Sequence, residues 1–148
     1  VLILFLVAIL GAFILNKTIL GTYTFALGSN EEAVRLSGVN TDRWKIIVYS
    51  FAGGICGIAG LLMASRLNSA QPALGQGYEL DAIAAVVIGG TSLSGGSGTI
   101  LGTIIGAFIM SVLTNGLRIM SVAQEWQIIM TGIIIILAVF ADNMRKKK

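Results

Sequence analysis

The fold is decided by residues 82–117, AIAAVVIGGTSLSGGSGTILGTIIGAFIMSVLTNGL, which form a run of 36 residues without a single charge. Three further uncharged runs cover residues 1–16, 46–65 and 126–141. A helix that crosses a bilayer needs about 20 mostly apolar residues, and about 17 is the lower limit. The run at 46–65 predicts one crossing. The run at 82–117 is long enough for a short helix, a break and a full crossing.

The composition excludes a soluble globular protein. The chain has 148 residues, of which 55% are hydrophobic and 11% charged, and its mean hydropathy is +0.89. Soluble domains carry about 25% charged residues, and half that supply cannot cover a water-facing surface. The 19 glycines follow no G-X-Y period, so a collagen-like chain is excluded as well.

We therefore predict an all-α integral membrane protein, a polytopic helix bundle forming one domain over residues 1–148. The first run starts without Met and without a preceding basic residue, so we expect a truncated membrane helix at 1–15 and a chain that is the C-terminal half of a larger protein. The other expected segments are a short helix at 29–38, membrane helices at 45–66, 98–116 and 126–142, a short or broken membrane helix at 79–91, and a basic tail at 143–148.

The basic residues predict the orientation of the chain. They cluster in residues 16–45 and in the tail, and the positive-inside tendency places both clusters, and hence the C-terminus, in the cytoplasm. The chain between the helices at 45–66 and 126–142 must then cross the membrane an even number of times or not at all. We favour two crossings, with residues 79–91 as the short one, over a re-entrant hairpin or a loop at the surface. Irregular backbone at membrane depth survives only against protein or a water-filled cavity.

Glycine spacing predicts close helix packing. Small residues three or four apart let two membrane helices approach closely, where van der Waals packing holds them together. The residues in question are Gly53, Gly57 and Gly60 in one helix and Gly98, Gly102 and Gly106 in another. Neither series is a nucleotide site, because a P-loop needs a Gly-Lys pair and the chain has none.

The chain offers no catalytic machinery. It has no histidine and one cysteine, Cys56, so a histidine-based triad, a cysteine-rich zinc site and an internal disulfide are all excluded within it. We expect Cys56 to be a small packing residue. We predict no catalytic residue, no metal and no cofactor, and the chain is not expected to be an enzyme.

Residues 28–39, GSNEEAVRLSGV, predict a short helix with both ends marked. Ser29 suits the N-cap and Glu32 completes the S-x-x-E capping box. Glu31 lies in the first turn, Arg35 near the end, and Gly38 is a natural C′ residue. A helix of about eight residues is marginal in water, so something else must hold it. From spacing alone, an ordinary connector is the favoured interpretation.

This run resembles the cytoplasmic coupling segment of the permease subunits of bacterial ABC importers, in the ribose-type class of the branched-chain amino acid/ribose permease family. Residues 69–72, SAQP, and 77–96, GYELDAIAAVVIGGTSLSGG, resemble the same family closely, as do Asn115-Gly116-Leu117 and the last apolar helix. The resemblance covers roughly residues 21–145. A typical permease of the class is about twice as long as this chain.

The resemblance implies a pore subunit that works with other chains. In this family two permease subunits form the pore, cytoplasmic ATPase subunits drive it, and a periplasmic binding protein delivers the sugar. The bilayer surrounds it, and no nucleic-acid partner is expected. On this chain the ATPase-coupling residues would be Asn30, Glu31, Glu32, Ala33, Arg35, Leu36, Ser37 and Gly38, with charged contacts from Glu31, Glu32 and Arg35 and packing from Ala33 and Leu36.

For the other polar residues the sequence leaves more than one role open. Glu79 and Asp81 suit either the charged start of a helix at the water boundary or contact with the binding protein. The full set that we leave open between the pathway, the binding-protein contact and simple structural roles is Gln71, Tyr78, Glu79, Asp81 and Asn115.

The expected function is the pore subunit of an ATP-driven importer for a small sugar such as ribose, in the bacterial inner membrane. A neutral sugar needs hydrogen bonds rather than a counter-ion, which agrees with the uncharged run at 82–117. The alternatives are a permease of the same family for a branched-chain amino acid or a nucleoside, and an ion-driven secondary transporter. The latter usually places acids within the membrane.

Overall fold

Seven α-helices make up the part of the chain that the computed structural model describes, residues 2–67 and 75–146. No strand occurs within these residues, which confirms the prediction of an all-α fold. The helices are α1 Leu2–Lys17, α2 Ile19–Ser29, α3 Glu31–Leu36, α4 Thr41–Leu67, α5 Tyr78–Ile88, α6 Ile100–Ile119 and α7 Gln124–Lys146.

Membrane-spanning helices are present, as predicted. Among the described residues α4 and α6 are long and apolar enough to cross a bilayer, and α1 with α2 reaches the same length as a pair bent by 72°. Helix α7 carries a shorter apolar stretch, Gln124–Phe140. The chain is thus a polytopic membrane protein.

The bend between α1 and α2 is a feature that the sequence did not predict. The first helix continues past residue 15 to Lys17, and a second helix follows where none was expected. Thr18 interrupts the helical backbone with extended dihedral angles, and its hydroxyl donates to the carbonyl of Ile14 at 2.6 Å. Gly21 then lies directly against the backbone of Leu15, where any side chain would overlap the Leu15 carbonyl. A glycine is what permits this close turn.

The short helix begins one residue later than the capping pattern indicates. Ser29 is not its N-cap but the last residue of α2. Asn30 is the cap of both helices: its backbone N–H donates to Ala26 O at 3.0 Å, and its side-chain oxygen accepts from Ala33 N at 3.0 Å. The prediction of a Ser29–Glu32 capping box was therefore wrong, because α2 continues through Ser29 and leaves Asn30 as the first extended residue.

Side-chain caps also set the starts of two longer helices. The Asn40 side chain accepts from Arg43 N at 3.1 Å, so α4 begins at Thr41, four residues before the predicted span. The Thr99 hydroxyl accepts from Gly102 N at 3.1 Å, so α6 begins at Ile100, two residues after the predicted start. A cap that satisfies the first free N–H groups fixes where a helix can begin.

Helices α5, α6 and α7 pack into a compact unit. Ala84, Ala85 and Met110 are buried at its centre, with Ile88 and Ile135 against them. A side chain on Gly106 would overlap the carbonyl of Ala85, so α5 and α6 meet backbone to backbone. In a bilayer this close packing replaces the hydrophobic force that holds soluble helices together.

The helix α5 is shorter than the hydrocarbon core of a bilayer is thick. Its 11 residues extend about 16 Å at 1.5 Å per residue, against about 30 Å of hydrocarbon. Residues 89–99, which we call the glycine loop, join α5 to α6. Gly90, Gly95 and Gly96 in this loop have φ angles of 85°, 83° and 79°, which glycine adopts without strain.

Candidate functional site

The helix bundle has polar features at both of its ends. Contacts between segments show which segments lie at the same end. The backbone of Gly28 packs against Gly95 and Gly96, and the Ser92 hydroxyl donates to Asp142 Oδ2 at 3.1 Å. The segment around α3, the glycine loop and the last turns of α7 therefore lie together, at what we call the α3 end. The start of α5 and the turn between α6 and α7 lie at the opposite end.

Helix α3 is fixed to the two helices on either side of it. Glu31 forms an ion pair with Lys45 of α4, with Oε1 and Nζ 2.5 Å apart. The rings of Tyr23 in α2 and Trp44 in α4 lie 4.4 Å apart, tilted by 32°. The ion pair is exposed and contributes little by itself, but together with the Asn30 cap it fixes the orientation of a helix only six residues long.

The outer surface of α3 is polar with an apolar tip. Leu36 is 82% exposed, and Ala33, Glu32 and Arg35 are exposed beside it, while Val34 turns inward. At the C-terminal end the Ser37 hydroxyl donates to Val34 O at 2.6 Å, and Gly38 takes a φ of 86°. All eight residues that the sequence assigned to coupling, 30–38 without Val34, lie on this one protruding turn of chain.

The glycine loop connects this protruding turn to the α5–α6–α7 unit. A Cβ built on Gly28 would lie 2.8 Å from Gly96 N, and one built on Gly96 would lie 3.0 Å from the Cβ of Ser29. The first contact is with backbone and the second with the Cβ and backbone of Ser29, so a side chain at either glycine requires the loop to shift. The glycine loop therefore contacts the last residues of α2, directly before α3.

Two adjoining cavities occupy the opposite end. The first, about 180 Å³, lies between the start of α5, the end of α6 and the start of α7. The second, about 320 Å³, lies beside it between α5 and α6. They share the lining residues Asp81, Thr114 and Arg118. We refer to the two together as the polar cavity.

Three of the five pathway or binding-protein candidates line the polar cavity. Tyr78 lines the first hollow, Asn115 the second, and Asp81 both. Glu79 lines neither, and its Oε2 accepts from Gly77 N at 3.1 Å at the start of α5. Gln71 lies outside the described residues.

The cavity contains polar residues that the sequence analysis did not select. Arg118 and Thr114 are four apart on α6, and Thr131 and Gln127 are four apart on α7. Residues four apart share a helix face, so this spacing was the signal available in the sequence. It was weak because a lone threonine in an apolar run more often bonds to its own helix, as Thr114 does to Met110 O at 2.8 Å.

The two glycine series are placed differently. Gly102 and Gly106 face α5 at backbone contact, and Gly98 lies against the side chain of Thr91. Gly53, Gly57 and Gly60 of α4 meet no neighbour within the described part of the chain. Cys56 of the same helix is exposed. Among residues 2–67 and 75–146 no group of three acidic or cysteine side chains is placed to hold a metal ion.

Comparison with known proteins identifies the family. The sequence pattern of the family described as branched-chain amino acid transport system / permease component matches residues 1–139. The chain belongs to this family of permease components. The resemblance predicted from the sequence is thereby confirmed.

Curated relatives of this permease chain carry the names of sugar transporters. The ribose import permease RbsC of Escherichia coli K12 is 53% identical over 90% of the chain and 42% of its own length. RbsC of Bacillus subtilis is 51% identical over 90% of the chain and 41% of its own length. The xylose permease XylH of Haemophilus influenzae is 46% identical over 100% of the chain and 40% of its own length. The chain thus spans about two fifths of these relatives, and no solved structure matches it.

Proposed function

We propose that the chain belongs to the transmembrane pore subunit of an ATP-driven importer for a small sugar such as ribose. The observation that carries the proposal is its 53% identity, over 134 residues, to the ribose import permease of Escherichia coli. On this account the chain is not itself an enzyme, because ATP hydrolysis occurs in a partner subunit. The pore is completed by a second permease subunit, identical or related.

In the proposed arrangement the α3 end faces the cytoplasm of a bacterial cell and the polar cavity faces outward. Residues 29–38 then dock on the ATPase, while a sugar-binding protein approaches the opposite end. The exposed Leu36 supports this assignment, since an apolar side chain 82% open to water on a firmly held turn suits a partner's pocket. The contact of Gly28 with the glycine loop gives the docked motor a second route into the bundle.

Affinity purification of the full-length protein from its native membranes tests the proposal. We expect an ATP-hydrolysing subunit to co-purify, and uptake of ribose by reconstituted vesicles to require ATP and to survive an ionophore. Uptake that is independent of ATP and abolished by the ionophore would replace the proposal with an ion-driven secondary transporter.

The proposed orientation has its own test. In a Cys56→Ser background, a cysteine at residue 36 and another at residue 119 place labels at opposite ends of the bundle. Both positions are open to reagent, at 82% and 84% exposure. An impermeant maleimide added to intact spheroplasts should label residue 119 and not residue 36. The reverse pattern would invert the arrangement.

Xylose is the second candidate solute, because xylose permeases align with the whole chain at 46–47% identity. The description of the family leaves branched-chain amino acids as a third. Competition against labelled ribose by xylose, leucine and a nucleoside separates them, and strong competition by leucine alone would remove the sugar assignment.

A further inference from the structure

The glycine loop contains a tight turn that the rest of the chain holds in place. Gly95 N donates to Ser92 O at 3.1 Å, which closes a β-turn, and Ser92 N donates to Ser97 O at 3.0 Å. The Ser92 hydroxyl is bonded to Asp142, and Gly95 packs against the backbone of Gly28. The tip of this turn therefore has a fixed position at the α3 end of the bundle.

Leu93 lies at the tip of this turn. Its side chain is 51% exposed, and the neighbouring Ser94 is exposed as well. The central positions of turns are usually filled by Gly, Pro, Asn, Asp or Ser, whose backbones or side chains suit the turn. The turn itself therefore gives no reason for a leucine. A single exposed leucine is ordinary on any surface, so its meaning depends on what lies beside it.

The neighbouring segment is the coupling segment, and its size indicates that it does not dock alone. A specific protein–protein interface takes about 800 Å² and about 20–30 residues from each partner. The coupling segment is residues 30–38, of which Val34 turns inward. It is too short to form such an interface by itself, so we expect a further segment of the permease to contact the same partner.

The turn is close enough to the coupling segment to belong to the same interface. Gly96 lies against Ser29, the residue directly before that segment. From this contact, chain geometry places Leu36 and Leu93 no more than about 30 Å apart. A patch of about 800 Å² is also about 30 Å across. The two exposed leucines therefore fit within a single docking surface of ordinary size.

Lipid tails do not account for the exposure of Leu93. Helix α6 has 20 residues and extends about 30 Å, which is the thickness of the hydrocarbon core, and the turn precedes its first residue. The same end of the bundle carries the exposed ion pair of Glu31 and Lys45 and the exposed Arg35, which belong in water. A protein surface is thus the better match for an apolar side chain there.

We infer that the turn formed by residues 92–95 is a second docking contact for the ATPase subunit that engages α3, with Leu93 against an apolar site on that subunit. The inference rests on the proposed function and deepens it, because it adds a surface for the same partner. The coupling segment carries the charges of Glu31, Glu32 and Arg35, whereas the turn carries none. Salt screens contacts between exposed charges, so the contribution of the turn should not depend on salt.

Photo-cross-linking from residue 93 tests the contact directly. An aliphatic diazirine amino acid is incorporated at residue 93 of the full-length permease, which is assembled with its partner subunits in native membranes and irradiated. We expect an adduct with the ATPase subunit, as from the same amino acid at residue 36. Residue 119, at the opposite end and 84% exposed, is the control that should give no such adduct. Adducts of residue 93 with lipid or another protein, and none with the ATPase, would overturn the inference.

A substitution at the same position separates docking from folding. Leu93→Ser removes the apolar side chain and leaves a residue that suits a turn, so insertion and melting temperature should not change. The affinity for purified ATPase subunit, titrated onto the permease in nanodiscs, should fall about tenfold at both low and high salt.

Two further variants complete this measurement. Leu93→Met keeps the tip apolar and should bind the ATPase normally. Met120→Ser makes a similar change at the opposite end, where Met120 is 75% exposed, and should also bind normally. A Leu93→Ser protein that binds the ATPase like Met120→Ser, or that melts early, contradicts the assignment.

The two proposals fail in different ways. If residue 36 also gives no ATPase adduct and no ATPase co-purifies with the unmodified protein, the proposed function is wrong. If residue 36 gives the adduct and residue 93 does not, the importer stands and the turn is not part of its docking surface.

Discussion

Ser92 donates a hydrogen bond to Asp142 from 50 positions earlier in the chain, with 3.1 Å between the hydroxyl and Oδ2. The first residue lies in the glycine loop, and the second lies in the last turns of α7. Ser92 is 6% exposed, so the bond is largely shielded from water. Because the same loop also contacts Gly28, the bond links the last turns of α7 to the segment before α3.

Removing this bond should loosen the loop. We expect Ser92→Ala to lower the free energy of unfolding by about 1.5–3 kcal/mol, the range for a hydrogen bond to a charged group. Thermal unfolding of the full-length protein in detergent gives the measurement, and Ser94→Ala, an exposed position in the same loop, is the control. A double-mutant cycle with Asp142→Ala should show strong coupling. Two effects that simply add would show that the side chains do not interact.

The backbone contact of α5 with α6 predicts opposite effects for two glycines of one helix. Gly106→Ala places a methyl group on the carbonyl of Ala85 and should cost about 1–3 kcal/mol as the helices separate. Gly116→Ala adds the same group where nothing described lies within 4 Å, and it should be neutral or stabilising by up to about 1 kcal/mol. The measurement is the melting temperature of each variant, compared with that of the unmodified protein. Equal losses would mean that α6 does not approach α5 through Gly106.

The packing of α2 against the glycine loop predicts a disulfide. In a Cys56→Ser background, Ser29→Cys with Gly96→Cys places two Cβ atoms about 3.0 Å apart, slightly closer than the 3.5–4.5 Å of a relaxed disulfide. A cysteine at residue 96 is strained at the φ of 79°, so the loop must shift slightly for the bond to form. Mild oxidation should then give a cross-linked chain detectable by mass spectrometry. Ser29→Cys with Gly54→Cys is the control that should stay reduced. If the first pair forms no cross-link, the loop does not contact the coupling segment.

Much of the helix content could be read from local pattern. The uncharged runs at 46–65, 82–117 and 126–141 predicted the apolar helices, because a bilayer demands long stretches without charge and little else does. Gly38 was predicted as the residue after α3, and it has the positive φ that favours glycine there.

Features that depend on contacts between distant residues could not be read in the same way. The bend at Thr18 depends on Gly21 meeting Leu15, and the shift of the cap from Ser29 to Asn30 depends on where α2 ends. The polar cavity is built from three helices, and Thr131 looks like any threonine in an apolar run until α5 and α6 are placed beside it.

The central claim, that the turn around α3 passes the motion of an ATPase into the membrane helices, is tested most directly at its tip. Leu36→Asp places a charge on the most exposed apolar side chain of α3, and Gly38→Pro forbids the φ of 86° that ends the turn. ATP-driven sugar uptake is measured in vesicles that contain equal amounts of inserted full-length permease, with Leu36→Met as the control that keeps the tip apolar. We expect both variants to insert normally and to lose uptake, while the control transports. Unchanged uptake in Leu36→Asp and Gly38→Pro would contradict the account.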